Sequence, residues 1–137
     1  MVAKGFMIAS AAIILALGLI HLAYTFFGPR FNPRDPSLEA VMRRVTPVLT
    51  RETTMWNAWV GFNASHSMGA MLFGLIYGYL ALSHPEILFR SHYLLGLGLT
   101  MLVGLAVLAR LYWFRIPFLG ICAATGSFVA AIAFAPA

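Results

Sequence analysis

The sequence predicts an all-α fold: a bundle of four transmembrane helices with a short amphipathic surface helix in the first loop. Composition is the first reason. The chain is 61% hydrophobic and only 9% charged, with a mean hydropathy of +0.87. A water-soluble domain needs more charge than this to cover its surface, so the bilayer is the natural solvent. The second reason is four long apolar runs, each near or above the roughly 20 residues that cross a hydrocarbon core. The third is a single long polar connection between the first two runs. At 137 residues the chain is read as one integral membrane domain.

The first helix is expected over about 6–27, "FMIASAAIILALGLIHLAYTFF". It is long for a signal peptide and no small-x-small cleavage site follows, so it is read as retained. The connection opens with "GPRFNPRDP", where Pro29, Pro33 and Pro36 rule out regular structure. A surface helix is expected over about 36–46. Asp35 suits its cap and Pro36 its first position, while Leu38, Val41, Met42 and Val45 repeat at helical spacing. Pro47 ends it, and Thr50 is expected to cap the second membrane helix, about 55–82. The third helix is expected over 93–113, with Arg110 snorkelling and Tyr112 and Trp113 at headgroup level. "FRIP" then turns tightly into the fourth, 116–135, with Pro117 at its start.

Charge sets the expected orientation. Arg30, Arg34, Arg43, Arg44 and Arg51 lie in the first loop, and Arg110 and Arg115 flank the third. Only Lys4 and Arg90 lie on the other side. The positive-inside rule puts the two arginine-bearing loops in the cytoplasm and both termini outside. No basic run is long enough for nucleic acid, so the net charge of +5 is read as topology and membrane-lipid contact. Cys122 is the single cysteine and cannot form an intrachain disulfide.

Inside the second run stands "GFNASHSMG", Gly61 to Gly69. On a helical wheel Trp56, Trp59, Asn63, His66 and Ser67 fall within about 100° of one another. Gly61, Ser65 and Gly69 form a separate small-residue stripe, where another helix backbone is expected to come close. The polar stripe needs a partner, because hydrocarbon satisfies no hydrogen bond. His21 is the candidate. It lies about 10 Å in from Gly28, and His66 about 10 Å in from Trp59, at 1.5 Å per residue. Helices joined by one connection are antiparallel neighbours by default. A ligand-binding pocket of His21, Tyr24, Trp56, Asn63, His66 and Ser67 is therefore expected, opening toward an anionic head-group site at Arg43, Arg44 and Arg51.

Two histidines at one depth suit haem b ligation or quinone binding, and His21 and His66 would be the haem ligands. Hydrogen bonding between helices is the plainer use of the same residues. All four carboxylates, Asp35, Glu39, Glu52 and Glu86, lie in or beside loops, which weakens hydrolase and proton-pump readings. Neither serine sits in a nucleophile elbow.

With "PRDP", "LTRETTMW" and "GFNASHS", the chain resembles a group of small bacterial integral membrane proteins with four helices. The likeness runs from the end of the first helix through the second. It implies a multi-pass protein of the bacterial inner membrane and carries no activity. Size and helix count are also similar to glutathione-using membrane enzymes of the eicosanoid type, but their arginine-rich second-helix pattern is absent. The functional expectation is an accessory, interaction or lipid-like-ligand-binding protein. The alternative is a redox subunit or enzyme using haem, quinone or a lipid substrate. A homo-oligomer and a larger membrane complex both stay open.

Overall fold

The computed structural model describes residues 1–135. Among the described residues the regular elements are all helical: α1 Val2–Phe26, α2 Pro36–Met42, α3 Met55–Ser83, α4 Pro85–Arg90, α5 His92–Tyr112 and α6 Arg115–Ala133. Helices α1, α5 and α6 are long and apolar enough to cross a membrane, and on them the chain is read as an integral membrane protein. Helix α3 is the longest, at 29 residues, yet it does not join these three. Asn57, Asn63, His66 and two serines dilute its N-terminal half.

The chain divides into two compact units. One comprises Met1–Leu17 and Ala70–Ala137, the other Gly18–Gly69. The first unit is a helical core. Met7, Ile14, Leu88, Leu102 and Phe128 are its largest fully buried apolar side chains. Lipid is as apolar as leucine, so burial alone does not hold such helices together; close packing does. Two glycines give that closeness. A Cβ on Gly74 would lie 2.7 Å from the Ala11 carbonyl oxygen and the Leu15 Cβ, so α1 and α3 meet backbone to backbone there. A Cβ on Gly98 would lie 2.6 Å from the Phe128 ring and 2.7 Å from Tyr77. Those two rings stand edge to face, centroids 5.5 Å apart, and the Tyr77 hydroxyl donates to the Leu94 carbonyl at 2.7 Å. Lys4 Nζ donates to the Leu82 carbonyl at 3.0 Å, placing a cation on an orphan acceptor at the end of α3.

Several boundaries differ from the sequence reading. Helix α2 ends at Met42, because the Arg44 and Val45 amides both turn back to the Val41 carbonyl. Thr50 does not cap α3. Its hydroxyl accepts from the Glu52 amide in a local turn, and Thr54 accepts from the Asn57 amide instead. Helix α4 was not expected. Pro85 at its first turn, Glu86 beside it and Arg90 in its last turn are its signals, and Ser91 then caps α5.

The small-residue stripe also behaves otherwise. Nothing lies within 4 Å of a Cβ on Gly61 or Gly69, and Ser65 is exposed with its hydroxyl on its own helix at Phe62. Among the described residues no helix backbone closes on the stripe at Gly61 or Gly69. Small-xxx-small spacing marks a face that permits close approach; it does not say which face is used.

Candidate functional site

The unit Gly18–Gly69 carries the polar residues. It holds the last turns of α1, the folded first loop with α2, and the first four turns of α3. Gly28 ends α1, at φ 86°, a left-handed conformation that costs glycine little. The chain then doubles back over the helix ends.

Asn63 is the centre of the cluster. Its Nδ2 donates to the Trp59 carbonyl at 2.8 Å, which orients the amide and turns Oδ1 toward His21. His21 Nε2 lies 3.0 Å from that oxygen. A carbonyl oxygen only accepts, so Nε2 carries the proton. The His66 ring stands edge-on to His21, centroids 5.2 Å apart. The structure therefore brings His21, Asn63 and His66 together on facing turns of α1 and α3.

The first loop closes over them through Phe31. Its ring lies 4.6 Å from His21 and 6.4 Å from Tyr24, and its carbonyl accepts from the Trp59 indole at 3.1 Å. A second attachment runs through α2. The Arg43 guanidinium sits 4.2 Å over the Trp56 ring and pairs with Glu39 at 2.8 Å; Glu39 also accepts from Asn32. A third is backbone: the Met55 amide donates to the Val45 carbonyl at 2.9 Å. At the start of α2, hydrogen bonds from the Ser37 hydroxyl and amide hold the Asp35 carboxyl below its ordinary value.

Between loop and helices lies a cavity of about 10 Å3, lined by Thr25, Phe31, Asn32, Trp56, Trp59, Val60 and Asn63. That is room for about one water. It is too small for a lipid tail, a quinone ring or a macrocycle. The imidazoles of His21 and His66 are in mutual edge-to-face contact, and His21 Nε2 is engaged by Asn63. The residues in this arrangement do not fit haem, whose plane must pass between its two ligands. Among the described residues no group of three or more His, Cys, Asp or Glu is placed to hold a metal ion.

The remaining expected site residues separate. Ser67 is fully buried, but its hydroxyl donates to the Asn63 carbonyl on its own helix and does not line the cavity. Tyr24 packs at the rim, under the Arg30 guanidinium at 4.2 Å. Arg43 is committed to Glu39 and Trp56, and Arg44 Nε donates to the Ala40 carbonyl. Arg51 is exposed. Sequence reasoning missed Phe31, Asn32 and Val60. Phe31 carried one usable signal, a lone aromatic between Pro29 and Pro33.

No protein-family model, curated protein or solved structure matches the chain.

Proposed function

We propose that this is a four-span, non-enzymatic accessory protein of a bacterial inner membrane, whose folded first loop binds an anionic lipid-like head group. One observation carries the reading: the loop is built, not slack. His21, Trp56 and Trp59 pin its inner side through Phe31 and Arg43. Its outer side leaves Arg34, Arg44 and Arg51 exposed beside the apolar Leu38, Val41, Val45, Val48 and Leu49, with Val48 and Leu49 almost wholly bare. Bare apolar side chains among arginines suit a membrane interface, where the former sink among acyl chains and the latter meet phosphates. The His–Asn cluster is then the anchor of the loop and not a reaction centre. Helix α3 is the fourth span. Its 29 residues reach roughly 44 Å, and its Asn63 amide is turned to protein partners at the loop end.

The test is thermal stability of the full chain in neutral detergent, titrated with short-chain phosphatidylglycerol or phosphatidylcholine. The anionic lipid is expected to stabilise the protein and the zwitterionic one not. An Arg34→Gln, Arg44→Gln, Arg51→Gln triple variant should lose the difference. Equal response to both lipids in the wild type overturns the reading, as does a Soret band in the purified protein.

A further inference from the structure

A second feature lies wholly in the other unit. Helices α5 and α6 form a hairpin through Trp113 and Phe114, and an open groove of about 600 Å3 runs between them. From α5 it is lined by Val103, Ala106, Val107, Arg110 and Leu111, which repeat at one-turn spacing. From α6 come Phe118, Cys122, Thr125, Gly126 and Val129, again one face of a helix. The α6 side extends roughly 16 Å, at 1.5 Å per residue from Phe118 to Val129. The floor is low where Ala106, Cys122 and Gly126 stand, and nothing lies within 4 Å of a Cβ added to Gly126. Thr125 removes its own polarity by donating to the Ile121 carbonyl at 2.8 Å. The groove is thus a slot for a linear apolar chain.

One charge breaks that surface. Arg110 lines the groove in the last turn of α5, beside the hairpin. The only ion pair among the described residues is Arg43 with Glu39, so no carboxylate among the described residues pairs with Arg110. Tyr112, next to it, is largely exposed, as tyrosine is at headgroup level. A cation at the mouth of an apolar slot is complementary to a molecule with an anionic head and a hydrocarbon tail.

We propose that the α5–α6 groove holds one acyl chain of an anionic phospholipid from the surrounding membrane, with Arg110 on its phosphate. This goes beyond the loop reading and uses none of the loop's residues.

Cys122 provides the readout, since it is the chain's single cysteine, is exposed and lines the groove. The full chain in neutral detergent is treated with N-ethylmaleimide in the presence of long-chain phosphatidylglycerol or phosphatidylcholine. Phosphatidylglycerol is expected to slow alkylation about fivefold relative to phosphatidylcholine, the factor that one basic side chain near an anionic surface supplies. Arg110→Gln should bring that ratio to about one. So should Gly126→Leu, which fills the slot where there is space for it. The loop triple variant should leave the ratio unchanged, so the two proposals fail separately. Equal rates with both lipids in the wild type overturn the inference, and so does a ratio that persists in both Arg110→Gln and Gly126→Leu. Protection of Cys122 that rises with protein concentration in the absence of lipid overturns it in favour of a second copy of the chain.

Discussion

Asn63 uses both ends of its amide, one on the Trp59 carbonyl and one on His21, and so ties a helix to itself and to its neighbour. Its replacement by alanine leaves His21 Nε2–H without that acceptor. His21 is half-buried, so the expected loss is about 1 kcal/mol, the net worth of one hydrogen bond, read as thermal stability in detergent. Ser10 presents the opposite case. It is fully buried, and its hydroxyl has no hydrogen-bond partner. Ser10→Ala removes an unpaired group and is expected to be neutral or stabilising by up to about 1 kcal/mol. A clear loss of stability in Ser10→Ala would mean that the hydroxyl has an acceptor after all. At this scale the sequence was readable where chemistry is unusual. Asn63, His66 and His21 stand out because hydrocarbon has no use for them, and they do meet. Ser67 stood on the same face and told less, because a serine in a helix can satisfy itself on the carbonyl four residues back.

Helix contacts follow from what the small residues face. Gly74→Ala puts a Cβ 2.7 Å from the Ala11 carbonyl oxygen, and backbone does not yield as a side chain tip does. A destabilisation of about 1–3 kcal/mol is expected from that overpacking. Gly69→Ala meets nothing and serves as the control, with unchanged or slightly raised stability. If the two variants melt together, the α1–α3 approach at Gly74 is wrong. Helix α2 supports a pH test. The Asp35 carboxyl is held low in the folded chain, so its cap is at full strength above the ordinary carboxylate value. It is lost as pH falls through the lowered one. Protection of the Ser37 amide, its exchange measured relative to the intrinsic rate at each pH, should therefore fall in acid for the wild type. Asp35→Asn should cap at any pH and remove the acid sensitivity. Helices of this kind are legible from Asp-Pro at their start. Their ends are not, since the turn after Met42 depends on where Glu39 and Trp56 draw Arg43.

The long apolar helices were visible in the sequence because membrane-length apolar runs need no tertiary context. Helix α4 was not, because six residues between two long helices carry no period of their own. The site was half visible: a wheel shows which residues share a face, but not that Phe31 folds back to roof them, leaving only a water-sized space. Orientation is a property of the whole chain. Seven basic residues, Arg30, Arg34, Arg43, Arg44, Arg51, Arg110 and Arg115, lie in or beside two connections; Lys4 and Arg90 are the others. Lys4 is held on the Leu82 carbonyl, so it is bound to protein at that end. In the bacterial inner membrane proposed above, moving arginines across is opposed by the potential and by the bias of insertion, so the proposal expects the arginine-bearing connections in the cytoplasm. Under that proposal α3 crosses as well, since α1 would deliver the chain to one side and the α5–α6 hairpin would return to it. A reporter active only outside the cytoplasm is therefore expected to work when fused to either terminus and to be silent when inserted after Arg34. Activity at the termini and after Arg34 alike would mean that α1 does not separate them. Termini reporting from opposite sides would mean that α3 does not span, leaving the three apolar helices as the only crossings.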